Sequence, residues 1–151
     1  MKRQDWLLTF IGFPPGSPQP VDRMQIMKGL FLMRMAMEEA RQLKKLGQFY
    51  RFQPYMYGPC CFKIYDDLDL LSSEGLLQTD RQAGNPWIMY YLTEAGKEKV
   101  LQLVEKIPEH LIKKLEAVKK QITNQSIWDT LRVIYKKYPQ YATNSVLTRL
   151  K

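Results

Sequence analysis

Three carboxylates crowd into four positions at Asp66, Asp67 and Asp69, and oxygen ligands at that density are what a Mg²⁺ ion would take. On a helix, however, positions 66 and 67 diverge by about 100°. Asp66 and Asp69 then meet without a third carboxylate, so the spacing favours a solvated acidic face over a metal site. Cys60 and Cys61 are adjacent and are the only two cysteines, which excludes a disulfide framework. With one histidine, His110, and no C-x-x-C spacing they also fall short of a zinc site. They read as two small buried hydrophobes in a reducing compartment. His110 stands alone among charged neighbours, without the partner that a general base needs. The glycines Gly47, Gly58, Gly75, Gly84 and Gly96 are isolated rather than gathered into a phosphate-cradling loop. The expectation is a chain with no catalytic residue, no metal and no cofactor.

The remaining chemistry is cationic. The net charge is +8, but it is unevenly placed. Residues 1–44 carry seven basic and four acidic groups, residues 45–96 four and six, and residues 97–151 twelve and five. Positive potential that could attract phosphate therefore concentrates in the C-terminal third, where Lys113, Lys114, Lys119 and Lys120 are read as lying away from an apolar stripe.

The elements that must carry these groups follow from periodicity. Residues 2–11 are expected as a short apolar helix or strand, and Gly12 to Pro20 as a loop rich in proline and glycine. Lys2 and Arg3 precede the apolar run from Trp6 to Phe13, but Asp5, Gly12 and the paired prolines argue against a signal peptide. No stretch is long enough to span a membrane, and the expected location is cytoplasmic. Asp22 is read as the N-cap of a long helix reaching about Lys45, with a core stripe of Ile26, Leu30, Met33 and Met37 and a stop at Gly47. Phe49, Tyr50 and Phe52 read as a strand-like run, and Tyr55 to Pro59 as an aromatic turn. A helix is expected from about Pro59 to Ser73 with Gly75 as its C′ residue.

Leu76 to Arg81 and Trp87 to Leu92 read as two strands of a hairpin. Thr93 is expected to cap a helix to Ile107, Pro108 to begin another, and Ser126 to cap a last one ended by Pro139, with a final turn near Asn144.

A helix feeding into a two-stranded hairpin, closed by a Leu-Thr-x-x-Gly helix start, is the order of parts in a winged-helix domain. The expected fold class is thus mainly helical α+β. It divides into an N-terminal segment with a proline-rich linker (1–20), a winged-helix domain (21–107) and a C-terminal helical extension packed on it (108–151). In that geometry the helix 59–73 would approach the major groove and the hairpin tip the backbone or minor groove. The residues that fit duplex DNA are Lys63, Arg81, Gln82 and Asn85, with Lys113, Lys114, Lys119 and Lys120 on phosphates. Four carboxylates on the same helix repel phosphate, which keeps a second reading open. Here Asp66, Asp67, Glu74, Tyr55 and Tyr57 dock a protein partner, and no DNA is bound.

The runs Phe52 to Cys60 (FQPYMYGPC), Ile64-Tyr65-x-x-Leu68 and Glu74-Gly75-Leu76-Leu77 resemble an uncharacterised family of prokaryotic winged-helix proteins. That family is distantly similar to the Panacea domain of SocA-type antitoxins. Met27 to Phe31 is similar to an early-helix run of those domains, and Tyr138 to Ser145 resembles a C-terminal signature of the uncharacterised family. Tyr90-x-Leu92-Thr93-x-x-Gly96 is shared more widely, with PadR- and MarR-like regulators. Cys60-Cys61 departs from the pattern, standing where a small polar residue is expected. The resemblance implies a non-enzymatic regulator, antitoxin-like, whose partner is duplex DNA or a protein such as a toxin, with a homodimer through the C-terminal helices as a further expectation. A third reading is a single-stranded nucleic-acid binder that stacks bases on Tyr50, Phe52 and Tyr55 beside Arg51.

Overall fold

The computed structural model describes residues 1–81 and 83–147. Its first helix, α1 (Arg3–Ile11), buries Trp6, Leu7, Leu8, Phe10 and Ile11 in the main core, so the N-terminal segment is built into the fold. The Trp6 indole N–H donates to the Leu46 carbonyl at 2.6 Å. A two-residue strand, β1 (Val21–Asp22), follows, which the proline-rich loop before it gave no reason to expect.

Asp22 caps α2 (Arg23–Glu39) through a capping box: its carboxylate accepts the Gln25 N–H while the Gln25 side chain accepts the Asp22 N–H. The helix is buried on every side, through Ile26, Met27, Lys28, Leu30, Phe31, Met33, Met35 and Met37, and is the axis around which the chain is wrapped. It ends at Glu39 rather than near Lys45. Arg41 takes a left-handed φ of 57°, and the Gln42 N–H closes on the Met37 carbonyl, which terminates the helix before Gly47 is reached. A 3₁₀ turn (Leu43–Leu46) then leads to Gly47.

The segment 49–61 departs most from expectation. The strands are β2 (Gln53–Tyr55) and β3 (Gly58–Cys60), an antiparallel hairpin in which Pro54 faces Pro59. Neither proline has an N–H to donate, so this pair occupies a non-hydrogen-bonded position. Pro59 therefore ends in a strand, and the helix α3 (Lys63–Ser73) begins four residues later than expected. Its C-terminus matches the sequence reading, with Gly75 at φ 78° just beyond it.

Strands β4 (Leu77–Asp80) and β5 (Met89–Leu92) form the second hairpin, and β1 joins the far edge of β5, giving the order β1-β5-β4. The Thr93 hydroxyl accepts the Gly96 N–H at the start of α4 (Glu94–Glu105) and donates to the Gly75 carbonyl at 2.6 Å. Any side chain at Gly96 would drive into the Leu76 carbonyl, which explains a Thr-x-x-Gly start physically. Helices α5 (Glu109–Asn124) and α6 (Ile127–Lys137) complete the chain, followed by a 3₁₀ turn (Pro139–Tyr141).

The α5 stripe Leu111, Leu115, Val118 and Ile122 joins the main core. Helix α6 builds a second cluster in which Phe31 is ringed edge-on by Phe52, Tyr138 and Tyr141. The buried faces of α5 and α6 pack within the chain, while Trp128 and Val133 of α6 remain exposed. The architecture is mainly helical α+β. No helix among the described residues is long and apolar enough to cross a membrane.

Candidate functional site

The acidic cluster splits by helical phase. Asp66 and Asp69 lie exposed on α3, and Glu74 is exposed at its C-cap. Asp67 lies on the buried side with Ile64, Leu68 and Leu71, and is only 3 % exposed. Its Oδ2 accepts the Tyr50 hydroxyl at 2.6 Å and the Arg3 Nε–H at 2.8 Å, while Oδ1 accepts Gln4 at 3.4 Å. Burial and the Asp67 bond push the Tyr50 phenol up, and the same carboxylate raises the Arg3 guanidinium. Asp67 thus belongs to the interior and not to a partner-binding surface. Tyr50 is buried and cannot stack on a base. Among the described residues no three acidic, histidine or cysteine side chains gather as a metal site.

The C-terminal lysines divide in the same way. Lys113 is exposed and pairs loosely with Glu109 at 3.7 Å, Lys114 is half-buried, and Lys120 is exposed. Lys119 is 2 % exposed and contacts no phosphate-accessible surface. Its ammonium donates to the carbonyls of Phe10, Ile11 and Phe13 at 2.8, 2.9 and 2.8 Å, closing the C-terminal end of α1, where the helix dipole favours a cation. Burial pulls its pKa down to about 7. A second interior lysine, Lys28, donates to the Pro59 carbonyl at 2.8 Å, and burial brings it to about 8. That bond ties β3 to α2 and helps to hold Pro59 in a strand. Cys60 and Cys61 are buried free thiols, as their types suggested.

In the β4–β5 loop, Arg81 is exposed and Gln82 lies outside the described residues. The Asn85 side-chain oxygen already accepts the Trp87 N–H at 2.9 Å. Lys114 and the β4–β5 loop lie toward opposite ends of α2. Lys114 acts electrostatically on Glu39, at one end of α2, whereas β5 pairs with β1 at the other. Seventeen helical residues, about 25 Å, separate those ends. His110 is exposed near the start of α5.

Tyr55 and Tyr57 are exposed at the β2–β3 turn rather than packed into a junction, and the Tyr55 ring meets Phe62 edge-on at 5.1 Å. Met56 and Phe62 are exposed beside them. Phe62 is the N-cap of α3 and supplies no capping hydrogen bond, and Asp66 is the acidic residue of that helix's first turn.

That helix start opens on a group of cations brought together by the fold. A hollow of about 370 Å³ is lined by Arg3, Arg51, Lys63, Phe49, Phe52 and Phe62, among others. It shares Arg3, Phe49 and Arg51 with a second hollow of about 460 Å³ that adds Arg34 and Lys44. Among the described residues no carboxylate lines either one. Arg34 is held by one bond, from Nη1 to the Tyr50 carbonyl at 2.9 Å, and Arg3 by its Nε bond to Asp67. A guanidinium carries five N–H donors, so each retains donors beyond its anchor. The side chains of Lys44, Arg51 and Lys63 make no hydrogen bond or ion pair among the described residues. Sequence reading found Arg51 and Lys63 but missed Arg3, Arg34 and Lys44, because the five lie on five separate segments that only the fold brings together.

The chain matches no known family model and no curated protein.

Proposed function

We propose that this is a winged-helix protein that binds duplex DNA as a non-enzymatic, antitoxin-like regulator. One observation carries the reading: α1, β1, α2, α3, β4 and β5 follow one another with the sheet order β1-β5-β4, the order of helices and strands in a winged helix. The β2–β3 hairpin is then an insertion between the second and third helices, and the 81–88 loop is the wing. Phosphate contacts would come from Arg81 in the wing and from Lys120, Lys113 and Lys114, all at least partly exposed. Lys119 takes no part.

Titration of the purified protein against a labelled mixed-sequence duplex tests this. Binding through several cations predicts affinity that falls steeply with salt, and absence of binding at low salt would end the proposal. Replacing Arg81, Lys113, Lys114 and Lys120 with Glu should abolish it.

A second reading is a protein-docking antitoxin or adaptor, favoured by the exposed Asp66, Asp69 and Glu74 together with exposed Leu70 on α3. Converting Asp66 and Asp69 to Asn separates the two. Tighter duplex binding supports groove docking, whereas loss of a bound partner protein supports the adaptor.

A further inference from the structure

We propose that the cleft formed by Arg3, Arg34, Lys44, Arg51 and Lys63 is a binding site for single-stranded nucleic acid. The proposal does not rest on duplex binding, since the cleft lies at the N-terminal end of α3 and the wing follows its C-terminal end.

Charge selects the class of ligand. Five cations converge from α1, α2, the 3₁₀ turn, the 49–53 segment and α3, and Asp67, which holds Arg3, is buried with both oxygens engaged. Like charges in one cleft repel one another unless an anion enters, and an anion there gains from a low-dielectric wall.

Shape and rings narrow the class. The two hollows are adjacent, sharing Arg3, Phe49 and Arg51 in their walls, and such a double trough suits a chain of phosphates better than one compact metabolite. Phe49 and Phe52 are half-buried in its wall, and Phe62 stands 46 % exposed at its rim. Aromatic rings set among cations accept unstacked bases of any sequence, which is how single strands are held without base reading. A duplex keeps its bases stacked inside and cannot offer them to rings below the protein surface. The strand would therefore run along the trough with phosphates on Arg51, Lys63, Arg34 and Lys44 and a base against Phe62.

The test is fluorescence anisotropy with a labelled oligothymidylate of about 12 nucleotides, a length within the usual site sizes. Wild type should bind with an affinity that falls with salt at a log–log slope near −0.7 for each phosphate engaged. The double variant Arg51→Glu with Lys63→Glu should lose at least about tenfold, and because neither side chain has a partner in the fold its melting temperature should stay unchanged. Phe62→Ala should lose about fivefold to a hundredfold, the range of one base–ring stack. Lys113→Glu with Lys120→Glu should leave strand binding intact. The proposal is overturned by no strand binding at low salt, by equal losses from the two charge-reversal pairs, or by a Phe62→Ala variant that binds as wild type. An unlabelled duplex that displaces the strand at equal concentration would also overturn it.

Discussion

Helices α3 and α5 each turn one charged side chain inward beside exposed neighbours of the same kind, yet the two burials serve different ends. On α3, Asp67 meets a guanidinium and a phenol, and the guanidinium it holds is Arg3, one wall of the cationic cleft. On α5, Lys119 meets main-chain carbonyls at the end of α1 and the Phe10 ring, and among the described residues it holds no further charged group. The difference teaches that an interior charge can either prepare a ligand site or simply finish a helix. What it is bonded to decides which.

The sharpest way to break the comparison is at Lys119. Lys119→Glu places a carboxylate against three carbonyls and should leave the chain unfolded at 25 °C by circular dichroism. Lys119→Met keeps the stem but deprives the Ile11 carbonyl of its Lys119 donor, and should cost about 2–4 kcal/mol in urea denaturation. Strand binding by the folded fraction should be unaffected.

Asp67→Asn should cost a similar or slightly smaller amount, about 2–3 kcal/mol, because the Tyr50 hydroxyl and Arg3 lose their charged acceptor. Here strand affinity should fall as well, since Arg3 is released from its place in the cleft. An Asp67→Asn protein that binds the strand as wild type would erase the functional half of the comparison.

The response to pH is next. Lys119 and Lys28 hold pKa values of about 7 and about 8 in the fold, against an unfolded value of 10.5. Between pH 7 and pH 9 the folded chain sheds protons that the unfolded chain keeps, so stability rises with pH through this window. The urea midpoint should increase from pH 7 to pH 9 in wild type and increase less in Lys119→Met. A midpoint that falls over that range would mean that neither lysine is depressed. Above pH 9 the buried Cys60 thiol, held above its usual value by burial, works in the opposite direction.

The smallest effects belong to the exposed acids. Asp66→Asn and Asp69→Asn should each change stability by no more than about 0.5 kcal/mol, which sets them apart from Asp67.

Local chemistry made much of the fold legible. Asp22, Thr93 and Ser126 each accept the N–H expected of a cap, and Gly75 ends α3 as its position suggested. The inward turn of Lys119 was also within reach. It lies four residues after Leu115 and three before Ile122, on the border of the buried stripe. Asp67 lies likewise three after Ile64 and four before Leu71. Charge argued for the surface at both places, and periodicity argued for the core. What could not be read was the identity of the partners, because Asp67 is 64 positions from Arg3 and Lys119 is 109 from Phe10. The cleft is hidden for the same reason, as no two of its cations are neighbours in sequence. The Pro59 strand was misread because Lys28, 31 residues earlier, helps to hold it.

The most direct measurement is a crossed titration of strand and duplex against two variants, Arg51→Glu/Lys63→Glu and Lys113→Glu/Lys120→Glu, in one low-salt buffer. The account predicts that the first variant loses the strand and that the second keeps it. Equal loss of the strand by both variants would mean that net charge alone holds it, and would contradict a site in the cleft.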